Sequence, residues 1–467
     1  MSKLYITTAI PYVNGDPHLG HALELVQADV LARHRRLRGD AVRFQSGTDD
    51  NALKNVDAAL AAGRPVAEFV AAKADRFAEL AARLELSNDD FIRTSTDPRH
   101  RPGVERLWRA CAEAGDLYER DYEGLYCAGC EAFVDGPRCP EHERSLEHVT
   151  ERNWFFRLSR YQEALRRLIE NGQLRIEPRS RLNEVLAFLE SGLADFSVSR
   201  ARERAHGWGI PVPGDPSQVV YVWFDALANY VTSLEYGATY EEWWRDSDER
   251  LHVIGKGIIR FHAVYWPAIL LSAGEPLPTT IFVHDYITSG HRKLSKSLGA
   301  GDAFATIERF GAEALRWWLI RDVPRSGDVE FREERVVARA NELADGLGNL
   351  VGRTLALRKR APRRAETLPL PEVESLAQAI DEALAAFDFR TATDGLWERV
   401  GAANRFISAT RPWELAGRER AAVVAALLEA IGTLGQELTP FLPGAADRIA
   451  QALEDGEGRR LFPKLAA

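Results

Sequence analysis

The sequence predicts an α/β chain in which a parallel sheet is split by a small inserted domain and followed by an all-helical domain. Three observations carry this. The N-terminus reads strand, helix, strand, which predicts parallel pairing through a right-handed crossover. A Cys- and Gly-rich stretch near residues 121–145 breaks the pattern, and strand-like segments return at QVVYVWFDAL, LHVIG and TTIFVHDYI. From about Gly346 onward the pattern is helical, dominated by Ala, Leu, Glu and Arg.

The first segment, LYITTAIPY, reads as a buried strand ending at Pro11, followed by the turn VNGDP. Asp16 suits a helix cap and Pro17 the first helical turn. Leu19, Leu23, Val26 and Val30 then recur at helical spacing and predict one buried face. Gly39 ends that helix, and DAVRFQSG reads as the second strand. Helical patterns run on to about Ala114, and RKRAPRRAETLPLPEVE reads as a loop between later helices.

With 467 residues the chain has room for about three domains. Its 45% hydrophobic and 28% charged content is that of a globular protein, and excludes disordered, collagenous and disulfide-scaffold classes. No N-terminal stretch reads as a signal peptide. No uninterrupted apolar run approaches the ~20 residues of a membrane helix. A cytoplasmic protein with no membrane partner is expected. The net charge of −9 requires any nucleic-acid contact to use a local patch. Arg358, Lys359, Arg360, Arg363 and Arg364 form the best candidate, which alone reads as a solvated linker.

Three of the four cysteines form Cys127-x2-Cys130-x8-Cys139-x2-His142. Two ligand pairs at such spacing suit tetrahedral, structural Zn2+, a closed site with no position for substrate. Cys111 lies in a helical pattern and reads as a small core residue.

Two further motifs carry chemistry. His18-Leu19-Gly20-His21 stands where the first strand meets the first helix. A helix N-terminus presents unpaired N–H groups, two histidines add donors for phosphate, and Gly20 allows close approach to the backbone. Lys293-Leu294-Ser295-Lys296-Ser297 lies in a Gly-flanked segment. Its lysines and hydroxyls can grip a pyrophosphate and follow its charge. Alone the first match is weak evidence that its place after the first strand strengthens, and the second alone reads as an ordinary polar surface loop.

Together, in this order and about 270 residues apart, they resemble the two signature motifs of class I aminoacyl-tRNA synthetases. The segments AIPYVNGDPHLGH, YVWFDAL, IGKGIIRFHAVYWPA and KLSKSLG narrow the resemblance to the methionyl-tRNA synthetase family. It implies a Rossmann-type parallel-sheet catalytic domain in two halves, 1–113 and 217–285. A zinc-binding connective insertion would occupy 114–216, the KLSKS loop and connecting region 286–345, and a helical anticodon-binding-type bundle 346–467. The implied ATP site is His18, Gly20, His21, Lys293, Ser295, Lys296 and Ser297, with His18, His21, Lys293 and Lys296 catalytic. The implied amino-acid pocket is Ala9, Ile10, Tyr12, Asp49, Trp223, Ala226, Leu227, Tyr230, Ile258 and His262. Asp49 offers a partner for the substrate ammonium, and Trp223, Tyr12 and Tyr230 an aromatic wall that a thioether favours. Without the resemblance these side chains read as core. Asn349, Arg353 and Trp413 fall at anticodon-reading positions, where a Trp can stack on an unpaired base.

Three positions depart from the family pattern. Gly257 replaces an acidic residue after IGK, Asp285 replaces a Gly after His284, and Asp49-Asp50-Asn51-Ala52 replaces Asp-Glu-His-Gly. Asp285 is a candidate substitute for the carboxylate missing at Gly257. The expected activity is ATP- and Mg2+-dependent activation of methionine, or an analogue, and transfer to tRNA by a monomer. The departures keep open a ligase that uses a small-molecule acceptor. A non-catalytic tRNA-binding protein is a third alternative.

Overall fold

In a computed structural model of the chain the described residues are 1–127, 132–134, 146–289, 292–293, 301–359, 376–457 and 460–465. They form two compact units. The first comprises Met1–Pro17, Asp40–Glu79 and Asn88–His284, and the second His18–Gly39, Leu80–Ser87 and Asp285–Ala467.

The first unit is built on β1 (Lys3–Thr8), β2 (Ala41–Thr48), β3 (Asp90–Arg93), β4 (Arg175–Glu177), β5 (Glu249–Gly255) and β6 (Thr280–His284). Their order is β3-β2-β1-β5-β6-β4, and every pairing is parallel. Ile6 in β1 stands between Phe44 and Leu251, and all three are buried. Such runs of buried apolar residues are what a sheet covered on both faces requires. At Gly47 a Cβ would come within 2.3 Å of the Ile92 carbonyl, so only Gly lets β3 pair here.

Helix α1 (Leu19–Leu37) follows β1 in chain order, and the first unit adds α2 (His100–Glu113) and α3 (Val222–Thr232). QVVYVWFDAL divides at Tyr221: Asp215–Val220 is a strand, but Val222 onward is helical. Its Val, Trp and Phe have strand propensity, yet every residue of α3 is buried, so packing overrides propensity. Between the sheet's halves an antiparallel pair, Leu117–Cys127 with Glu147–Phe156, carries Ala132–Val134 and Phe196–Ser197 on its edges.

The second unit is helical apart from a small sheet of Ile287–Ser289, Arg292–Lys293 and Val329–Glu330. In α1 the predicted face Leu19, Leu23, Val26 and Val30 is buried. Arg316, 1% exposed, donates to Asp29 at 2.8 Å and to the carbonyls of Leu84 and Phe441 at 2.7 and 2.9 Å. Burial pushes the Asp29 carboxyl up, but the Arg316 and Arg33 guanidiniums and Ser87 hold it below the usual range. The far end of α1 is tied to the last helices, with Arg38 donating to Asp381 at 2.7 Å and to Glu437 at 2.6 Å. Gly417–Leu438 is long and apolar enough to cross a membrane by length and composition. It packs against Phe389–Thr410 and Pro443–Asp455, as a core helix does.

Candidate active site

The sheet order fixes where a ligand pocket opens. From β1 the chain proceeds to β2 and β3 on one side, while β5 and β6 lie on the other. Ligands of open α/β sheets bind beyond the carboxyl ends of the strands at such a reversal. Ala9, Ile10 and Tyr12 follow β1, Asp49 follows β2, and Ile258 and His262 follow β5. Trp223, Ala226, Leu227 and Tyr230 lie along one face of α3. The first unit thus holds all ten predicted pocket residues.

The Trp223 ring is 6.2 Å from that of Tyr12 and 6.5 Å from that of His262. Its other partner, missed in the sequence, is Phe261, stacked at 3.6 Å and nearly parallel. The Trp223 Nε1 is buried with no hydrogen-bond partner among the described residues. Tyr230 stacks at 4.1 Å on His252, a second residue the sequence did not single out.

The two histidines are neutral. His262 donates from Nδ1 to the Ile258 carbonyl at 3.0 Å and accepts the Tyr230 hydroxyl at Nε2, 2.6 Å away. Burial pulls its pKa down to about 4. His252 accepts the Trp266 indole N–H at Nε2, 3.2 Å, and donates from Nδ1 to Thr7 at 2.7 Å. Burial likewise holds it well below the ordinary range. Asp49 is 2% exposed, and its Oδ1 accepts the Asn51 N–H at 3.2 Å.

The second unit holds the predicted phosphate motif. Helix α1 begins at Leu19, and its cap is His18 rather than Asp16. Asp16 instead receives Lys73 at 3.0 Å within the first unit. His18 Nδ1 accepts the Gly20 N–H at 3.0 Å, and His21 Nδ1 accepts the His18 N–H at 3.1 Å. The rings stack 3.8 Å apart. A nitrogen that accepts carries no proton, so each ring has its proton on Nε2 and donates from there. Gly20 also has a packing role. A Cβ there would meet His18 Cε1 at 2.8 Å and Nδ1 at 3.0 Å, so glycine makes room for the capping ring.

The Leu19 N–H donates to the Gly301 carbonyl at 3.0 Å, and His18 bridges Asp302. The residues just after the KLSKS segment therefore lie against the first turn of α1. Lys293 ends the strand Arg292–Lys293, while Ser295, Lys296 and Ser297 lie outside the described residues. Asp285 is buried and accepts the Gly327 N–H at 2.6 Å. Gly257 sits in the turn Lys256–Ile258 of the first unit.

In the helical region, Asn349 and Arg353 lie on the helix Asn349–Arg358. The Arg353 guanidinium is 5.9 Å from the ring centre of Trp413, which is 47% exposed. An Arg over the face of a Trp forms a cation–π contact. Of the four predicted zinc ligands, Cys127 ends the strand Leu117–Cys127, and Cys130, Cys139 and His142 lie outside the described residues.

Comparison with known proteins agrees along the whole chain. The family tRNA synthetases class I (M) matches residues 4–147 and 134–355. A methionine–tRNA ligase of Brucella suis biovar 1 is 38% identical over 100% of this chain and 94% of its own length. That of Thermotoga maritima is 37% identical over 96% of this chain and 74% of its own length. A solved structure of Mycobacterium tuberculosis methionyl-tRNA synthetase in complex with methionyl-adenylate matches with a TM-score of 0.87. It is 35% identical and covers 96% of this chain and 93% of that one.

Proposed function

The chain belongs to the class I methionyl-tRNA synthetase family, and from that premise we propose how its residues divide the work. The reaction is ATP-dependent activation of methionine followed by transfer to tRNA. In the first step a methionine carboxylate oxygen bonds to the α-phosphorus of ATP, and the bond to pyrophosphate breaks. The terminal ribose hydroxyl of tRNA then attacks the acyl carbon, and AMP leaves. Enzymes accelerate such steps mainly by positioning and by preorganised charge.

His18 and His21 donate from Nε2 to the ATP phosphates, and Lys293 and Lys296 follow the charge onto pyrophosphate. Asp49 receives the substrate ammonium. Tyr12, Trp223 and Tyr230 wall the side chain, with Ala9, Ile10, Ala226, Leu227, Ile258 and His262 completing the pocket. A neutral His262, its Nδ1 and Nε2 both engaged within the protein, suits an uncharged thioether. Asn349, Arg353 and Trp413 read the anticodon.

The spacing of Cys127, Cys130, Cys139 and His142 supports one structural Zn2+, and ATP enters with Mg2+. We assign the catalytic halves to 1–113 and 217–285, with the strand Arg175–Glu177 of the intervening segment joining their sheet, and the anticodon-binding bundle to 346–467. A cytoplasmic monomer is the simplest form. Asn51 and Asp285 each have a hydrogen-bonding role, and no observation favours a small-molecule acceptor.

The observation that carries this reading is the capped pair His18 and His21 at a helix start whose Leu19 and His18 contact Gly301 and Asp302. The test is methionine-dependent ATP–pyrophosphate exchange together with charging of tRNA. Lys296→Ala is expected to abolish exchange while methionine still binds. Normal exchange in that variant removes the assigned role. Exchange without tRNA charging by the parent protein would restore the alternative acceptor.

A further inference from the structure

We propose that His100, Asp225 and Asn51 form a positioning relay that holds the Asp49 carboxylate ready for the substrate ammonium. The inference rests on the reading of Asp49 as the ammonium's partner. With Asp49, its members come from three parts of the first unit: α2, α3 and the turn after β2. Asp225 lies on α3 between the pocket residues Trp223 and Ala226, and is 1% exposed. A buried carboxylate is costly unless both oxygens are satisfied. Here Oδ1 accepts the His100 Nε2–H at 2.5 Å, and Oδ2 accepts the Asn51 amide at 2.8 Å.

His100 is fully buried in the first turn of α2, and its Nδ1 lies 2.8 Å from the Thr232 hydroxyl on the last turn of α3. Its ring is therefore fixed at both nitrogens. Asn51 then hands the constraint on. Its side chain is held by Asp225, and its own N–H donates to Asp49 Oδ1 at 3.2 Å. The Asn55 amide adds a 2.9 Å bond to the Asp49 carbonyl. The turn from Asp49 to Ala52 is thus pinned from α2 and α3. One carboxylate oxygen is already committed to the backbone, which sets the direction in which the carboxylate faces. Asn51 replaces the His of the family pattern, so the relay is written with this chain's own residue. A carboxylate that must meet an ammonium at hydrogen-bonding distance gains from such preorganisation, because no ordering remains to be done on binding.

The test separates the ammonium's share of binding from everything else. Affinity is measured for methionine and for 4-(methylthio)butanoate, which lacks the ammonium, and the ratio of the two is compared between variants. Asn51→Ala is expected to reduce that ratio at least tenfold, with binding of the deaminated ligand changed less than threefold. Equal weakening of both ligands would mark Asn51 as merely structural and overturn the relay. Thr232→Val alters the far end without touching the pocket and is expected to reduce the ratio by a smaller factor. It decides the matter should Asn51→Ala not fold, and an unchanged ratio there overturns the relay. Asp49→Asn is the control for the premise. If it leaves the ratio unchanged, the ammonium reading of Asp49 fails, whatever the relay variants do.

Discussion

Gly20→Ala separates stability from catalysis at the phosphate motif. The new Cβ would lie 2.8 Å from His18 Cε1 and 3.0 Å from Nδ1, with the Gly20 N–H bond to that ring at stake. The imidazole must swing away, losing its cap on α1 and its 3.8 Å stack on His21. Losing a cap costs about 1 kcal/mol. Exchanging Gly for Ala in a helix returns about 1 kcal/mol. The melting temperature is therefore expected to move little. On the role proposed for His18, catalysis has no such compensation, since its phosphate donor is displaced. Removing one preorganised donor typically slows a reaction by about 10²–10³, or about 3–4 kcal/mol of barrier. The assay is ATP–pyrophosphate exchange at saturating methionine, run beside thermal unfolding. The same loss is expected in His18→Ala, and the double variant should be no slower than either single one, because both remove one group. Exchange within threefold of the parent, or additive losses in the double variant, would refute the account.

Three further outcomes follow from the pocket and the helical region. Tyr230→Phe removes the donor to buried His262 Nε2 and is expected to cost about 1–3 kcal/mol in urea unfolding. Unchanged stability would show that the bond contributes nothing. Acid should weaken the fold through His262, which titrates near 6.5 when unfolded and about 4 when folded. Its contribution is complete above pH 6.5 and is lost as pH falls toward 4, because only the unfolded ring takes up the proton. At pH 5 the loss is about 2 kcal/mol. His262→Asn should flatten the stability profile between pH 7.5 and 5 by that amount, and an unaltered slope would contradict the burial argument. Trp413→Ala should reduce kcat/KM for tRNA charging by about 1–3 kcal/mol with pyrophosphate exchange untouched. Equal loss in both assays would assign Trp413 to packing.

Much of this was legible in the sequence, for reasons that also explain the rest. Long buried strands such as Lys3–Thr8 and Ala41–Thr48 announce themselves by composition. Asp90–Arg93 and Arg175–Glu177 have four and three residues, too few for any period to register. The face of α1 was readable from spacing alone. Its cap was not, because cap preferences favour Asp over His, and Asp16 lies two residues too early. Phe261 and His252 give no signal in the sequence, because ring stacking is a tertiary relation between β5, α3 and the helical segment Phe261–Tyr265. The Cys and His spacing, by contrast, carries its chemistry in the sequence itself.

The histidines show why residue type alone could not have settled the site. His18 and His262 are the same residue with opposite chemistry, and the difference lies in where Nδ1 points. In His18 and His21 it accepts a backbone N–H at the start of a helix. The proton is then forced onto Nε2, beside the positive end of the helix dipole, which is what an anionic phosphate requires. In His262 the Nδ1 proton goes to the Ile258 carbonyl, and Nε2 is closed by Tyr230. Burial then removes the charged form from the range where the enzyme would work. Such a ring offers neither charge nor proton to a ligand, and its remaining asset is its flat, polarisable surface. A charged side chain entering that pocket would lose its hydration and meet no compensating group in His262, whereas a thioether loses little. Selection for an uncharged side chain therefore begins with a hydrogen-bonding choice four residues long, from His262 back to Ile258.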